Sequence, residues 1–476
     1  MKILLAGEWI ERNEKIDVFD PYDGSIIDTV PRVTDKDVQK AIESAVRGYQ
    51  KCRALPTHKR MEILEKTANY VKDHFEDFSQ TIAREGSKTI REARKEVARC
   101  INTLKVSAEE ARRVIGETIP FDSFPGAENK IGYYYRFPIG PIACITPFND
   151  PLNLVAHKLG PAIAGGNSVV LKPASMTPLS AIKLVEGFLA AGLPREIINI
   201  VTGFGSEIGD SLVTDERIRM ISFTGGVEAA QQILKISGIK KVGMELGSNS
   251  PVIVWHDAEL EYAVESCVSG AFWAAGQNCI GVQRLLVHTT IYEEFVARIV
   301  ERTKKYKIGN KLEEDCDMGP MINETEAKRI ENWVNEAIER GATLLLGGNR
   351  EGALFEPTIL ENVTKDMTLD CDEVFAPVVS IYRISSFEEA IEEANKVNYG
   401  LHAAIFTQDI DLAFKAIYLL ECGGVIVNES TDYRLDSMPF GGIKNSGLGR
   451  EGIKFALMEM TEPKVVCFNL KTSPHS

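Results

Sequence analysis

The sequence predicts an α/β protein of two units, each a mainly parallel sheet covered by helices, with the division near residue 246. Three observations predict it. From residue 130 the rhythm changes, and after an aromatic strand short apolar runs alternate with amphipathic helical stretches, the rhythm of strands buried on both faces. The polar and glycine residues that interrupt this rhythm fall at the carboxyl ends of the runs, where parallel sheets place their ligands. At 476 residues, 44% hydrophobic and 26% charged, the chain has ordinary globular composition but is too long for one core.

Residues 34–117 read as helical. Thr34 with Asp37 three positions on starts a capping box, and Val38, Ala41, Ile42, Ala45 and Tyr49 then share one face. The same period runs from Thr57 to about Ile115, with charges on the opposite faces. "YYYRFP" (133–138) is an aromatic strand. The first strand series follows: "PIACIT" (141–146), "SVVLKP" (168–173), "INIV" (198–201), "RMISFTG" (219–225) and "VGMEL" (242–246). A second series begins near Pro251 with "PVIVW", a helix over 258–275, "RLLVH" (284–288), a helix over 290–306, "GATLLLGG" (341–348) and "PVVSIYR" (377–383). "PKVVCFNL" (463–470) is the last strand. No repeat or low-complexity segment interrupts the order.

The bulk charge is −14, which argues against nucleic acid and anionic membranes as partners but leaves room for a local basic pocket. "MKILLAGEW" is too short and too soon polar to serve as the apolar core of a signal peptide, and no stretch of about eighteen apolar residues is present. Nine scattered cysteines with no CxxC pair form neither a disulfide framework nor a zinc site, and they fit a reducing cytoplasm. The seven histidines show no paired ligand spacing, so no metal is expected.

Five strand ends carry polar or glycine residues: Asn149 in "ITPFNDP", Lys172 in "LKPAS", the "GFG" of 203–205, "FTGG" (223–226) and Glu245 in "MELG". The Thr224-Gly225-Gly226 turn opens a helix and so offers N–H groups to a phosphate, although a plain strand-to-helix turn explains it equally well. Cys279 lies in "GQNCIG", among neighbours unlike a packed core, whereas most cysteines are buried and inert. Glu245 ends an apolar strand, where a carboxylate is costly unless paired with a lysine or functional. Asn149 has the alternative of merely shaping its turn. Taken together, thiol, carboxylate and amide suit acyl chemistry: addition to a carbonyl, oxyanion stabilisation and activation of water.

"PFNDP", "LKPAS", "FTGG", "MELG", "GQNC", "DEVFAPV" (372–378) and "PFGGIKNSGLGRE" (439–451) stand in the order and spacing of the NAD(P)-dependent aldehyde dehydrogenase superfamily, which the chain resembles nearly end to end. The resemblance implies an aldehyde dehydrogenase-like fold. A Rossmann-like cofactor domain would span 1–118 and 139–246, an α/β catalytic domain 247–458, and a small β oligomerisation arm 119–138 and 459–476, giving a homodimer or homotetramer. It also implies roles. Cys279 is the nucleophile, Glu245 the general base, Asn149 the oxyanion amide, and Lys158 an aid to proton relay. Cofactor contacts fall on Ile145, Thr146, Pro147 and Phe148, on Lys172 and Ser175, on Gly205, Gly225 and Gly226, and on Glu373 with Phe375. The implied chemistry is a thiohemiacetal on Cys279, hydride transfer to NAD or NADP, and hydrolysis of the resulting thioester.

Several positions depart from the family pattern. "ELGSN" replaces the frequent "ELGGK", with Ser248 and Asn249. Ser175 stands where NAD-preferring relatives often carry glutamate; with Lys172 nearby this favours NADP, since a carboxylate repels a 2′-phosphate. Asp150 follows Asn149 where an aromatic residue is common. "PFNDPLNLVAHK" is similar to the branch of lactaldehyde, glyceraldehyde and phosphonoacetaldehyde dehydrogenases. His157 and Arg434 are the candidate contacts for the substrate, read as a small polar aldehyde, hydroxylated or anionic; surface decoration is the alternative for each. The alternatives are a semialdehyde or phosphonoacetaldehyde dehydrogenase, a CoA-acylating enzyme, against which Glu245 counts, and a non-catalytic homologue.

Overall fold

The two large sheets have six and seven strands. The structure, a computed structural model, describes residues 1–472; the last four residues of the expected arm lie outside the described residues. Two short hairpins, Ile3–Leu5 with Glu8–Ile10 and Lys15–Phe19 with Ile26–Pro31, open the chain. The strands of the first are three residues long, too short to show a period, whereas Lys15–Phe19 alternates with Ile16 and Val18 buried. Four helices follow: Asp35–Ala54 (α1), Thr57–Asp73 (α2), Phe75–Glu85 (α3) and Ile90–Ala111 (α4). Capping boxes at Thr34–Asp37 and Thr89–Glu92 start α1 and α4, each satisfying N–H groups left open by the first turn.

The first sheet has Ile198–Ile200 at one edge, followed by Ser168–Lys172, Pro141–Ile145, Met220–Thr224 and Lys241–Glu245, all parallel. The register aligns Ile145 with Lys172 and with Phe223, and Thr224 with Glu245. The strand ends therefore form one rim, as their common direction requires. Helix α5 (Asn153–Ala164) is buried along its whole length behind this rim.

The second sheet runs Thr343–Leu346, Thr358–Glu361, Val378–Ile384, Val282–His288, Ser250–Val254, His402–Phe406 and Gly424–Val427, parallel except at its first pair. The division near 246 is crossed a second time. Gly447 and Leu448 pair antiparallel with Glu245 and Met244, and Leu457 and Met460 pack into the core of the first unit. Residues 447–460 thus lie with the cofactor-side sheet rather than with the 247–458 unit expected from sequence. The close pairing needs Gly447, whose φ is +157° and whose added Cβ would sit 2.4 Å from the Met244 carbonyl. Strand Lys130–Pro138 pairs with Thr118–Ile119 and with Thr461–Asn469 in a third sheet.

Gly48 in α1 fixes how closely that helix approaches the first sheet. A Cβ there would stand 2.1 Å from the Glu196 carbonyl oxygen, and backbone cannot step aside as a flexible side chain can. Gly48→Ala should therefore destabilise the protein by about 1–3 kcal/mol, outweighing its gain in helix propensity. A urea midpoint equal to or above that of the unaltered protein would contradict this packing.

Candidate active site

Of the residues picked from the five strand ends, Asn149 lines one cavity with Cys279. A cavity of about 520 Å³ is lined by Cys279, Asn149 and Arg434, with Arg99, Trp273 and Asp432 among its other walls. The Asn149 side chain has no hydrogen-bond partner among the described residues, so its amide is available to an oxygen in the cavity.

The turn before Cys279 is strained. Ala274 and Ala275 have φ of +50° and +55°, and Gly276 +69°, a left-handed run that alanine rarely adopts. Three bonds hold it. Glu92 on α4 accepts the Ala274 N–H at 2.9 Å, Gln277 Nε2 donates to the Ala274 carbonyl at 2.9 Å, and Gln277 Oε1 accepts the Ile322 N–H at 2.9 Å. A Cβ on Gly276 would lie 2.1 Å from the Ala376 carbonyl oxygen, so the run of small residues before Cys279 is a requirement of close approach.

The Asn149 loop is held from the same helix. Glu96 Oε1 accepts the N–H groups of Leu152 (2.8 Å) and Asn153 (2.9 Å). Lys88 Nζ bridges Glu96, at 2.7 Å, and Asp150. Arg99 reaches from Asp150 (3.4 Å) to Asp436 (3.0 Å) and leaves its Nε without a partner. Asp150, the departure noted in the sequence, is thus a structural anchor for the residue it follows. Lys88, Glu92, Glu96 and Arg99 were not singled out from sequence, because a charged stretch of an amphipathic helix reads as a solvated face.

Glu245 does not line the cavity. It sits behind it, buried, with Oε2 unpartnered. Burial and then the neighbouring Glu451 push its carboxyl well above the usual range, with Arg434 and Lys158 opposing. Its charge acts on the Cys279 thiol, which burial pushes up to about 12; Arg434 is the largest opposing influence. Lys158 is buried beside it and donates to Ser222 Oγ (3.0 Å) and Glu451 Oε1 (2.9 Å). Lys158 therefore reaches Glu245 through its field and not through the cavity.

The two candidate substrate contacts separate. Arg434 stays on the cavity wall, 7% exposed, stacked 3.6 Å over the Phe440 ring and 3.4 Å from Glu451, with Nε unpartnered. His157 is a correction. It lies buried within α5 with Nε2 3.0 Å from Asp436 and is absent from the cavity wall. Its helical phase turns it inward, which a linear motif comparison does not show.

The rim around the first sheet fits a dinucleotide. Thr146 Oγ1 and Thr224 Oγ1 are buried with no partner, and Lys172, lowered to about 8 by burial alone, has no anion beside it. Gly226 caps the helix Val227–Ile236 with open space at its Cβ position, as does Gly205 at the start of Gly205–Val213. Gly225 is needed for another reason: a Cβ would collide with the Phe223 ring at 2.6 Å. Ile145 ends its strand, and the Thr146 N–H donates to the Lys172 carbonyl at 3.2 Å. Pro147 and Phe148 continue the rim, and Phe148 meets Phe375 edge to face at 5.7 Å.

Glu373 is half-buried, accepts the Ser248 N–H at 3.0 Å, and is pushed up to about 7 by desolvation. Gly247 makes room for it, since a Cβ there would lie 2.2 Å from its carboxyl oxygen. Asn249 has a clear purpose: its Nδ2 donates to the carbonyls of Asp370 and Asp372, while Oδ1 accepts from Arg284. It ties the Glu373 loop to the strand exit. Ser175 is half-buried and makes no hydrogen bond among the described residues.

The model of the aldehyde dehydrogenase family matches residues 9–466. The chain belongs to the aldehyde dehydrogenase family. As an aldehyde dehydrogenase it is an NAD(P)-dependent oxidoreductase. It is 51% identical to aspartate-semialdehyde dehydrogenase 1 of Pseudomonas canavaninivorans, over 96% of this chain and 97% of that one. Among solved structures it is similar to aldehyde dehydrogenase 21 of Physcomitrella patens in complex with the reaction product succinate, at 42% identity, TM-score 0.97 and coverage of 99% and 98%. It is also similar to the glyceraldehyde-3-phosphate dehydrogenase GapN of Methanocaldococcus jannaschii complexed with NADP, at 41% identity, TM-score 0.93 and coverage of 96% and 100%. No helix among the described residues of this aldehyde dehydrogenase is long and apolar enough to cross a membrane.

The dominance of burial over the Arg434 field at Cys279 has a measurable consequence. Below the thiol pKa the reactive thiolate fraction rises about tenfold per pH unit, so iodoacetamide labelling of the Cys279 peptide in the cofactor-free enzyme should climb steeply between about pH 7 and 9. Arg434→Ala removes the main cation, raises the pKa further and should slow labelling at every pH in that range. Mass spectrometry separates Cys279 from the exposed Cys371 and Cys467. Faster labelling in the variant would contradict the assignment.

Proposed function

We propose that this aldehyde dehydrogenase oxidises a short aldehyde bearing an anionic group to the corresponding acid, with NADP preferred over NAD. The observation that carries this reading is Arg434: a guanidinium on the cavity wall, close enough to dominate the cationic field at Cys279, with an unpartnered Nε. Arg99 supplies a second cation on the same wall. The three relatives described above bear names or ligands of anionic aldehydes and acids, which supports the same class. Lactaldehyde and glyceraldehyde, polar but uncharged, use these cations less well.

In this reading the Cys279 sulfur attacks the aldehyde carbon while the Asn149 amide donates to the developing oxyanion. Bound NAD(P) supplies the two-electron acceptor. Glu245 then takes a proton from the water that attacks the thioester carbon, and the Cys279–carbon bond breaks to release the acid. One aldehyde, one water and one oxidised cofactor give one acid, one reduced cofactor and one proton. Glu245 must be ionised for this step, and burial and then Glu451 push its carboxyl well above the usual range, so hydrolysis should accelerate with rising pH.

For the cofactor, Lys172 without a partner and Ser175 without a charge leave an anion site that a 2′-phosphate fills. The exposed aromatic arm, with Tyr135 53% and Val465 60% exposed, is proposed as the surface that joins subunits into a homodimer or homotetramer. Nine free cysteines support a cytoplasmic setting.

Cys279→Ala should abolish reduced-cofactor formation. Glu245→Gln should retain a first-turnover burst while steady turnover falls by about 10²–10⁴. With succinic semialdehyde, glyceraldehyde and propanal compared, kcat/KM should be highest for the anion; equal values for all three would refute the reading. NADP should exceed NAD in kcat/KM, and Ser175→Glu should reduce that ratio by about tenfold or more. A strong NAD preference in the unaltered enzyme would remove the NADP proposal.

A further inference from the structure

Glu245, absent from the wall of the Cys279 cavity, lines a second and much smaller one. That cavity has a volume of about 20 Å³, and its wall also includes His157 from α5, Ser222, Glu451 and Glu459. One water molecule needs roughly 10–15 Å³ and two to four polar partners. Two buried atoms on this wall have no hydrogen-bond partner among the described residues: Glu245 Oε2 and His157 Nδ1. Buried polar atoms are rarely left unsatisfied, and a single water between these two satisfies both.

The far side of His157 decides what Nδ1 can do. Its Nε2 lies 3.0 Å from Asp436 Oδ1, and the other partners of Asp436 are all donors: Arg99 (3.0 Å), Asn153 Nδ2 (3.3 Å) and Asn102 Nδ2 (3.4 Å). Burial works against the Asp436 carboxylate, but the hydrogen bond and charge of His157, and then Arg99, hold it well below the usual range. An ionised Asp436 puts the imidazole proton on Nε2 and leaves Nδ1 as an acceptor turned to the cavity. The other polar groups on the wall are taken. Lys158 donates to Ser222 and Glu451, Arg434 stands 3.4 Å from Glu451, and Arg450 has no acceptor to offer.

We propose that a water in this small cavity joins Glu245 to His157, and that His157 receives the proton which Glu245 takes during thioester hydrolysis. This rests on the reading of Glu245 as the general base and adds the group to which that base passes its proton. Glu245 takes a proton from the water that attacks the thioester carbon. Its carboxyl O–H then breaks as an O–H forms on the cavity water, and that water gives one of its own protons to His157 Nδ1. The Glu245 carboxylate and a neutral water are restored, and no electrons change owner. The imidazolium is paired with Asp436. Burial lowers His157 and Arg434 adds to this, while Asp436 and Glu451 oppose, so the proton is given up again between turnovers. Glu459, half-buried on the same wall, is its way out.

The test follows the first turnover by stopped flow, the steady rate, and the acyl group on Cys279 by intact mass. It uses the purified full-length enzyme, NADP and whichever of the three aldehydes above turns over fastest. His157→Gln fills similar space and still holds a water, but it cannot take up a proton. It should leave the first turnover within about twofold, raise the acylated fraction of Cys279, and lower steady turnover about tenfold near pH 7. The deficit should narrow toward about pH 9–10, where hydroxide removes the proton without a relay; a packing defect lowers turnover alike at every pH. An unchanged acylated fraction, or a deficit constant with pH, would overturn the proposal. Glu245→Gln separates the two readings. Acyl-enzyme that fails to build up there refutes Glu245 as the base, and this proposal with it; build-up there but not in His157→Gln removes His157 alone. If His157→Gln does not fold, a proton inventory of acyl-enzyme hydrolysis in mixed light and heavy water decides on the unaltered enzyme. A curved inventory, with more than one proton in flight, supports the relay, and a linear one overturns it.

Discussion

Two carboxylates one helical turn apart, Glu92 and Glu96 on α4, hold the active site together. Glu92 accepts the Ala274 N–H in the strained turn before Cys279, and Glu96 accepts two N–H groups at the start of α5, just after Asn149. Cys279, the proposed nucleophile, precedes a strand of the second sheet, and Asn149, the proposed oxyanion donor, follows a strand of the first. One rigid helix therefore sets their separation, and a helix does so with less play than two loops meeting directly. Both carboxylates are buried. Loss of either would leave buried N–H groups unpaired as well as loosening a loop, so their contribution is larger than that of an exposed pair.

Electrostatic balance around Cys279 follows from that frame. Two glutamates behind the cavity have opposite fates. Glu451 is buried, but Lys158 and then Arg434 hold its carboxyl low. Glu245 lacks a direct partner for one oxygen and is driven up. A pair whose environments push the two carboxyls apart gives one permanent anion and one group able to exchange a proton. Arg434 lines the cavity and its field lowers the Cys279 thiol and both of these carboxyls, so the proposed substrate cation also tunes the proposed nucleophile and base.

The five parallel strands of the first sheet and four of the seven in the second were legible because buried strands write themselves as short apolar runs, and turns as glycine, proline and asparagine; Thr358–Glu361, His402–Phe406 and Gly424–Val427 were not read, nor was the order of strands within either sheet. The N-terminal hairpins were not read: the first has three-residue strands that carry no period, and the second alternates over only five residues, with Ile16 and Val18 inward. The return of residues 447–460 to the first sheet was hidden for a different reason: Gly447 reads as one more glycine in an irregular stretch, and its pairing with Glu245 is a contact across two hundred positions of chain. Among site residues, Cys279, Glu245 and Asn149 stood out because polar groups at apolar strand ends need a reason. The α4 carboxylates did not, because a helix with charges along it looks the same whether those charges meet water or backbone N–H groups.

The sequence by itself determined the α/β class, the division into two sheets, the strand ends that bear chemistry, and the family. These depend on local period and on residue types at turns, which one dimension records. Only the tertiary structure decided which charged groups reach the cavity. His157 turned inward to Asp436, Arg434 stayed on the wall, and Asp432 was left facing the cavity without a counter-ion. Side-chain direction depends on helical phase and on neighbours from distant segments, and ion pairing depends on what else is buried within a few ångströms. Neither is a property of any short stretch of chain.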